Sequence, residues 1–141
     1  MDCQFCAIAA GQPGPDAHVV YSDPEVVAFL DHRPVFKGHT LVIPRQHVVT
    51  LPELPISLLV PVFSVARRVA TAMESSEFGA HGTFVANNNR ISQSVAHLHV
   101  HVVPRHRKDG LRGFFWPRVK YDSPEDEADV AARLRAAIDA V

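Results

Sequence analysis

The chain has 141 residues, the usual size of one domain, and this length buries a core without help from disulfides or metal. Its 14 lysine and arginine residues against 15 aspartate and glutamate residues give a net charge of −1, which excludes a broad basic surface that follows a nucleic-acid backbone. The longest unbroken apolar run, residues 58–63, is much shorter than the roughly 18 residues of a membrane span. No secretory signal is visible at the beginning of the sequence. We therefore expect one domain over residues 1–141, a cytoplasmic location, and neither a membrane nor a nucleic-acid partner.

Short runs of β-branched and aromatic residues predict strands in the first half of the chain. Residues 18–21 and 25–30 are two of them, and a Ser-Asp-Pro turn separates them. Residues 38–44 are the next, and a proline ends that strand. The glycines and prolines of residues 11–15 would break any helix that begins near the N-terminus.

The middle of the chain predicts one long helix and two more strands. Apolar residues recur at three- and four-residue spacing over residues 58–73, a pattern that tolerates Pro61 only near the first helical turn. Residues 83–86 and 95–103 predict strands, with a polar loop at residues 87–92. Because strands dominate the middle and helices follow them separately, we predict an α+β fold with an antiparallel sheet of about five strands.

The C-terminal part predicts a second helix with a defined beginning. Ser123 is the expected N-cap, Pro124 the first helical residue and Asp126 the partner in a capping-box-like pair. The expected apolar stripe of this helix consists of Val130, Leu134, Ile138 and Val141. The preceding residues 110–118 are dense in aromatic and basic side chains. They either shape the mouth of a binding site, of the same or a partner subunit, or pack as an anchor for the helix.

Three histidines alternate with apolar residues in His97-Leu98-His99-Val100-His101. On a strand these imidazoles would share one face about 6.6 Å apart, and the residues between them would point into a core. Such a row indicates a polar site. Either histidines hold a metal with a further ligand nearby, or a neutral imidazole attacks a phosphorus ester. Gln93 and Ser94 precede the row, and such neutral donors suit a phosphate.

Residues 93–105, Gln-Ser-Val-Ala-His-Leu-His-Val-His-Val-Val-Pro-Arg, resemble the signature of the histidine triad (HIT) family. The resemblance extends upstream to residues 28–34, 38–44 and His47. It covers residues 1 to about 106 and implies a HIT-like core there, with a less typical aromatic segment and helix over residues 107–141. It also implies a homodimer.

The resemblance implies a hydrolase or transferase that acts at the α-phosphate of a purine nucleotide, such as an adenosine phosphoramidate, an aminoacyl-adenylate or a dinucleoside polyphosphate. It makes His99 the nucleophile of a covalent nucleotidyl-histidine intermediate, with one ring nitrogen held by a backbone carbonyl. It places His101 at the phosphate and leaving group and His39 in support, and no cofactor is required for this chemistry. Asp31 is expected to accept the ribose hydroxyls, unless it serves only the turn. Further substrate contacts are expected from Asn87, Asn88, Gln93 and Ser94.

The loop before the histidines departs from the family pattern. Many members have a glycine where this chain has Ser92, which places a side chain where the backbone approaches the phosphate. The asparagines of residues 87–89 tolerate left-handed backbone and are expected to keep the path of the loop. Ile8, Phe29 and Val42 are candidates for the base pocket or, equally, for ordinary core packing.

Cys3 and Cys6 form a Cys-x2-Cys pair, which in an intracellular chain indicates metal binding or redox chemistry. The pair is similar to the N-terminus of prokaryotic HIT proteins that bind zinc. That resemblance implies structural zinc held by Cys3, Cys6, His47 and His97, a closed set of four ligands. A free thiol pair is the alternative. The remaining histidines, at positions 18, 32, 81 and 106, look like surface residues.

Two other functions stay open at this stage. One is a non-catalytic nucleotide-binding or scaffolding module, which would keep the pocket without turnover. The other is a metal-dependent hydrolase that uses the three strand histidines, and it predicts that a chelator abolishes activity outright.

Overall fold

A computed structural model describes residues 2–12, 17–111 and 118–141. The chain divides into two compact units, residues 1–109 and 110–141. The strands of the first unit are β1 (Val19–Ser22), β2 (Val26–Leu30), β3 (Thr40–Pro44), β4 (Gly82–Ala86) and β5 (Val100–Arg105). Its helices are α1 (Gln4–Ala9), a 3-10 turn (Leu51–Glu53) and α2 (Ile56–Met73). All strand pairs are antiparallel, in the order β1-β2-β3-β5-β4, which confirms the predicted α+β class and five-stranded sheet.

Alternation of side chains gives the sheet two apolar faces. Val26, Ala28 and Val42 pack with the buried side of α2. The intervening Val27, Phe29, Leu41 and Ile43 pack with Phe5, Ile8 and Ala9 of α1. Val42 is therefore a core residue beneath α2 and not part of a base pocket, whereas Phe29 lies on the α1 face.

Helix α2 is a core helix with one irregular residue. Its 18 residues and mean hydropathy of 1.5 would suffice for a membrane span by length and composition alone. Its contacts argue otherwise, because Leu58, Val62 and Val65 are buried against the sheet. Pro61 lies in the second turn, deeper than predicted, where it cannot donate to the carbonyl four residues before it.

The last strand begins at Val100, so the prediction that it begins at residue 95 is wrong. Val100 lies opposite Val42, and His101 lies opposite Ala86, the last residue of β4. Residues 95–99 run beyond the end of β4 and find other partners. The Leu98 N–H donates to the Val48 carbonyl at 2.6 Å, and the His97 N–H donates to the Val95 carbonyl at 2.8 Å. The predicted alternation is nevertheless confirmed, because Leu98, Val100 and Val102 lie in the core beneath α2, and the ring centroids of His99 and His101 lie 4.9 Å apart, closer than the expected spacing.

The second unit contains helix α3 (Pro124–Asp139). The Ser123 hydroxyl accepts from the Asp126 N–H at 3.0 Å, which confirms the N-cap. The Asp126 carboxylate accepts from the Asp122 N–H at 3.0 Å, one residue before the position that a capping box would use. Leu134, Ile138 and Val141 of the predicted stripe are exposed. Most of the aromatic segment at residues 110–118 lies outside the described residues, so its interpretation stays a prediction.

Candidate active site and metal cluster

The imidazole of His99 is buried, and a main-chain carbonyl two residues before it orients the ring. Its Nδ1 lies 2.7 Å from the carbonyl oxygen of His97. Because a carbonyl only accepts, Nδ1 carries the ring proton and Nε2 of the neutral ring keeps a lone pair. The Asn87 side-chain amide donates to the His99 carbonyl at 3.0 Å. The arrangement fixes both the tautomer and the main chain of His99 and leaves Nε2 of the neutral ring with its lone pair.

A chain of hydrogen bonds also fixes the tautomer of His101. The Val35 N–H donates to Nδ1 of His39 at 3.1 Å, so the proton of a neutral His39 lies on Nε2. That Nε2 lies 2.9 Å from Nδ1 of His101 and donates to it. The proton of His101 is therefore on its own Nε2. The backbone of Val35 thus determines which nitrogen of His101 carries the proton and donates hydrogen bonds.

Both of these supporting histidines are neutral near pH 7. Burial lowers the pKa of His101 to about 4, and the nearby His99 and His39 add to the effect. Burial also lowers the pKa of His39, although the Asp31 carboxylate opposes that shift from 3.8 Å. The neutral tautomers deduced above therefore hold at physiological pH.

A cavity of about 380 Å³ lies on the α1 face of the sheet. Its apolar wall is formed by Phe5, Ile8, Phe29 and Leu41, and its polar lining includes Asp31 and Ser94. The Phe5 ring connects the cavity to the histidines, because it meets the His99 ring edge-on with centroids 5.2 Å apart. A cavity that combines an apolar wall with several polar groups is suited to a small molecule that has both an apolar and a polar part.

The sequence-predicted contact residues take different positions around this cavity. Ser94 and Asp31 line it, and Asp31 also accepts from the Arg33 N–H at 2.9 Å, so its turn role and its cavity position coexist. Gln93 is engaged with the backbone: it accepts from the Arg90 N–H at 2.8 Å and donates to the Val49 carbonyl at 2.6 Å. Gln93 therefore holds the loop in shape in this structure.

The asparagines have separate environments. Asn87 adjoins His99, and its Oδ1 is buried without a hydrogen-bond partner among the described residues. Asn88 is half-buried in the same loop. Asn89 accepts from the Leu51 N–H at 2.7 Å. The left-handed positions of this loop are Arg90, with φ 69°, and Ser92, with φ 60°, and not the asparagines that we expected to adopt it.

Cys3, Cys6, His47 and His97 form a second cluster, in which all four candidate ligand atoms lie within 4.8 Å of one another. Both sulfurs lie 3.5 Å from Nδ1 of His97, and the Cys6 sulfur lies 3.2 Å from Nδ1 of His47. Tetrahedral zinc, with bonds of about 2.0–2.3 Å, separates its ligand atoms by about 3.3–3.8 Å. The cluster therefore fits zinc.

The protonation of the cluster also suits a metal. Nε2 of His97 donates to the Pro44 carbonyl at 2.8 Å, which leaves Nδ1 unprotonated and directed at the sulfurs. Burial raises the pKa of the Cys6 thiol, and the neighbouring Cys3 adds to the shift. A bound cation would replace the thiol protons and reverse this effect.

The three histidines of residues 97–101 do not converge on one point. Nδ1 of His97 faces the cysteines, Nδ1 of His99 faces a carbonyl, and Nδ1 of His101 faces His39. A metal held by all three has no common centre in this arrangement. Asp31, His39 and His101 also lie close enough to hold a metal. However, Nε2 of His39 carries the ring proton and donates it to Nδ1 of His101, so this nitrogen has no lone pair for a metal.

Several residues at the cavity escaped sequence analysis. Phe5 was not predicted, although its position between Cys3 and Cys6 was a usable signal. His32 lines the cavity and is not merely a surface residue, and Arg33 lies beside it. The Val35 N–H could not have been found, because a main-chain donor leaves no mark on residue type.

These features define a class of protein: an α+β domain that orients a buried histidine by a backbone carbonyl beside a nucleotide-sized cavity. A family model described as the HIT domain matches residues 12–108. The chain belongs to the histidine triad (HIT) family.

Relatives match over most of the chain. The hit protein of Bacillus subtilis is 38% identical over 136 residues, 94% of this chain and 92% of that protein. An adenosine 5'-monophosphoramidase of Schizosaccharomyces pombe is 32% identical over 89% of this chain and 90% of that protein. An adenylylsulfatase of Arabidopsis thaliana is 31% identical over 78% of this chain but only 55% of that protein.

Two solved structures agree with the fold. A HIT-family protein from Bacillus subtilis superposes with a TM-score of 0.83 at 35% identity, covering 96% of both chains. A zinc-bound histidine triad protein from Mycobacterium smegmatis superposes with a TM-score of 0.73 at 37% identity, covering 97% of this chain and 98% of that one.

Proposed function

We propose that this protein is a nucleotide hydrolase or nucleotidyl transferase that acts at the α-phosphate of a purine nucleotide through a nucleotidyl-histidine intermediate. The observation that carries the proposal is the 2.7 Å contact between Nδ1 of His99 and the His97 carbonyl. It leaves the Nε2 lone pair as the nucleophile. A buried, neutral and oriented imidazole is the form that attacks phosphorus.

The reaction proceeds in two displacements. Nε2 of His99 attacks the α-phosphorus as the bond to the leaving group breaks, and the leaving group takes a proton from solvent while neutral His101 donates a hydrogen bond to it from Nε2. Water then attacks the phosphorus of the nucleotidyl-histidine, the bond to Nε2 of His99 breaks, AMP leaves, and the water proton passes to solvent. The hydrogen bond from His39, 2.9 Å long, keeps the donor proton of His101 on Nε2.

The cavity supplies the binding groups. Phe5, Ile8 and Phe29 offer apolar walls for a purine ring, and Asp31 offers a carboxylate to the ribose hydroxyls. Ser94 offers a hydroxyl to the phosphate. The buried, unpaired Oδ1 of Asn87 offers an acceptor beside His99.

Two relatives with named activities guide the choice of substrate. The relative from Schizosaccharomyces pombe is named a monophosphoramidase and the one from Arabidopsis thaliana an adenylylsulfatase. We place adenosine phosphoramidates first among the substrates, because the monophosphoramidase matches this chain over the larger share of both proteins.

The Cys2His2 cluster is proposed to hold structural zinc, as the cluster geometry and the zinc-bound relative support. Bound zinc would supply rigidity, because four protein ligands leave no open position for substrate. A homodimer and a cytoplasmic location remain proposals, and free cysteines are compatible with a reducing compartment.

The test is AMP release from an adenosine phosphoramidate, an aminoacyl-adenylate mimic and a dinucleoside polyphosphate, each at saturating concentration. Wild type is compared with His99→Asn and with the surface control His18→Asn, each with and without EDTA. Turnover that survives EDTA, vanishes in His99→Asn and persists in His18→Asn is expected. A labelled acid-labile adduct on the wild type supports the covalent step. Binding without turnover in all proteins would favour the scaffolding module, and loss of turnover with EDTA would favour the metal-dependent hydrolase.

A further inference from the structure

Helix α1 belongs to the metal cluster and to the nucleotide cavity at the same time. Cys3 caps the helix and Cys6 lies within it, and both face the cluster. Phe5, between them in sequence, and Ile8 line the cavity. In so short a helix the cysteines cannot shift without moving the Phe5 ring.

The Phe5 ring is the point of contact with the reacting histidine. It is 5% exposed, and it meets His99 edge-on at 5.2 Å with an interplanar angle of 89°. The same ring meets Phe29 edge-on at 5.3 Å in the cavity wall, and it lies 6.0 Å from the ring of the cluster residue His97. Edge-on packing of this kind depends closely on ring position and angle.

The two ends of α1 are held by different means. At its C-terminal end, Arg45 donates to the Ala9 carbonyl and also to the Asp23 carbonyl at 2.7 Å, so this end is tied to the sheet without a metal. At its N-terminal end, the described polar contacts to the rest of the fold come from the two cysteines. Loss of a metal would therefore release the end that carries Phe5 and leave the chain folded.

We propose that Phe5 is a positioning residue that couples the metal cluster to the nucleotide cavity. A metal on the cysteines holds the Phe5 ring against His99 and Phe29, and the cavity then binds nucleotide more tightly. This inference rests on the proposed nucleotide function. Since coupling between two sites is reciprocal, nucleotide must tighten metal binding by the same factor.

The experiment measures binding and not turnover. AMP affinity is determined by calorimetry for zinc-loaded and chelated wild type, and zinc affinity is determined by competition with a chromophoric chelator with and without AMP. Zinc is expected to tighten AMP about tenfold, within the usual range for coupled sites, and AMP is expected to tighten zinc equally. Far-UV circular dichroism is expected to stay the same on chelation, because Arg45 keeps α1 in place.

Phe5→Leu isolates the ring from the metal ligands. This variant is expected to bind zinc as the wild type does in the absence of AMP, but the effect of zinc on AMP affinity is expected to fall to about twofold or less. Phe63→Leu, the same change on a partly exposed ring of α2, is the control and keeps the full coupling.

Three results would overturn the coupling: equal AMP affinity with and without zinc, full coupling in Phe5→Leu, or unfolding on chelation, which would mean that zinc acts on the whole fold. If zinc-loaded wild type does not bind AMP at all, the proposed function fails together with the inference. If it binds AMP equally in both zinc states, the proposed function stands and only the inference fails.

Discussion

Nε2 of His39 lies 2.9 Å from Nδ1 of His101, and this contact determines the protonation of both rings. The Val35 N–H prevents a neutral His39 from carrying its proton on Nδ1, and His39 in turn places the proton of His101 on Nε2. The nitrogen on which His101 carries its proton therefore depends on a residue that need not touch the substrate.

His39→Asn is expected to lower kcat about 10- to 100-fold with KM changed less than about twofold, because the Nε2–H donor of His101 loses its orientation while the cavity keeps its lining. The measurement is steady-state AMP release, with His18→Asn as the control. A raised KM with unchanged kcat would instead place His39 in substrate binding.

Acid is expected to destabilise the protein over a defined range. In the unfolded chain histidine has a pKa of about 6.5, whereas burial lowers the pKa of His101 to about 4 and also lowers that of His39. The unfolded state binds more protons between these values, so stability is complete above about pH 6.5 and falls as pH approaches 4. Urea unfolding at several pH values measures this fall in stability, and the use of chelated protein excludes a contribution from metal that dissociates in acid. His101→Gln is expected to flatten the profile, and an equal slope in that variant would contradict the assignment.

Zinc removal is expected to lower thermal stability. A single zinc ion per chain is expected by elemental analysis, and excess zinc at 100 times its Kd stabilises a fold by about 2.7 kcal/mol. Cys6→Ser is expected to lose the metal and the zinc-dependent rise in Tm, while Ser64→Ala on the exposed side of α2 keeps both. Zinc-independent melting of the wild type would leave the cysteines as a free thiol pair.

Asp31→Asn separates the two roles of this side chain. Its amide oxygen can still accept from the Arg33 N–H, so the turn is expected to persist. The loss of a charged acceptor for the ribose is expected to raise KM about tenfold or more for a ribonucleotide. A 2',3'-dideoxy analogue is the control, because it lacks both hydroxyls and should respond little. Equal effects on the two substrates would limit Asp31 to the turn.

Ser92→Gly tests the departure of the loop from the family pattern. Ser92 has φ 60°, a conformation that costs a residue with a Cβ about 1 kcal/mol. The change is expected to raise the free energy of unfolding by about 0.5–1 kcal/mol. Ser64→Gly, in the middle of α2, is expected to lower it by about 0.5 kcal/mol, because glycine there only adds freedom to the unfolded chain. Destabilisation by Ser92→Gly would mean that the Ser92 hydroxyl makes a contact worth more than the strain.

Local sequence patterns correctly predicted the features that depend on adjacent residues alone. The Ser123 cap, the proline that ends β3 and the apolar period of α2 are properties of a few adjacent residues. Burial on one face or the other is not such a property. Val42 and Phe29 both read as apolar strand residues, and only the packing of α2 and α1 on opposite faces places one in the core and the other at the cavity.

The predicted beginning of the last strand was wrong because pairing partners decide where a strand begins. The sequence of residues 95–103 alternates like a strand throughout, yet β4 ends opposite His101. Before β5 the Leu98 N–H pairs with the Val48 carbonyl instead, and Nδ1 of the adjacent His97 lies 3.5 Å from the Cys3 sulfur. The four-residue metal cluster could be expected from a family resemblance, but the meeting of Cys3 and His97 requires the whole fold.

His97 makes two contacts that matter for the site, one through its side chain and one through its main chain. The imidazole reaches the cysteines, whereas the carbonyl that orients His99 belongs to the peptide bond and would be present with any amino acid at this position. Substitution of His97 therefore tests the metal cluster and is a poor test of the chemistry. In a chain of this fold without the two cysteines, a different residue at the position of His97 would therefore be no sign that the nucleophile is lost.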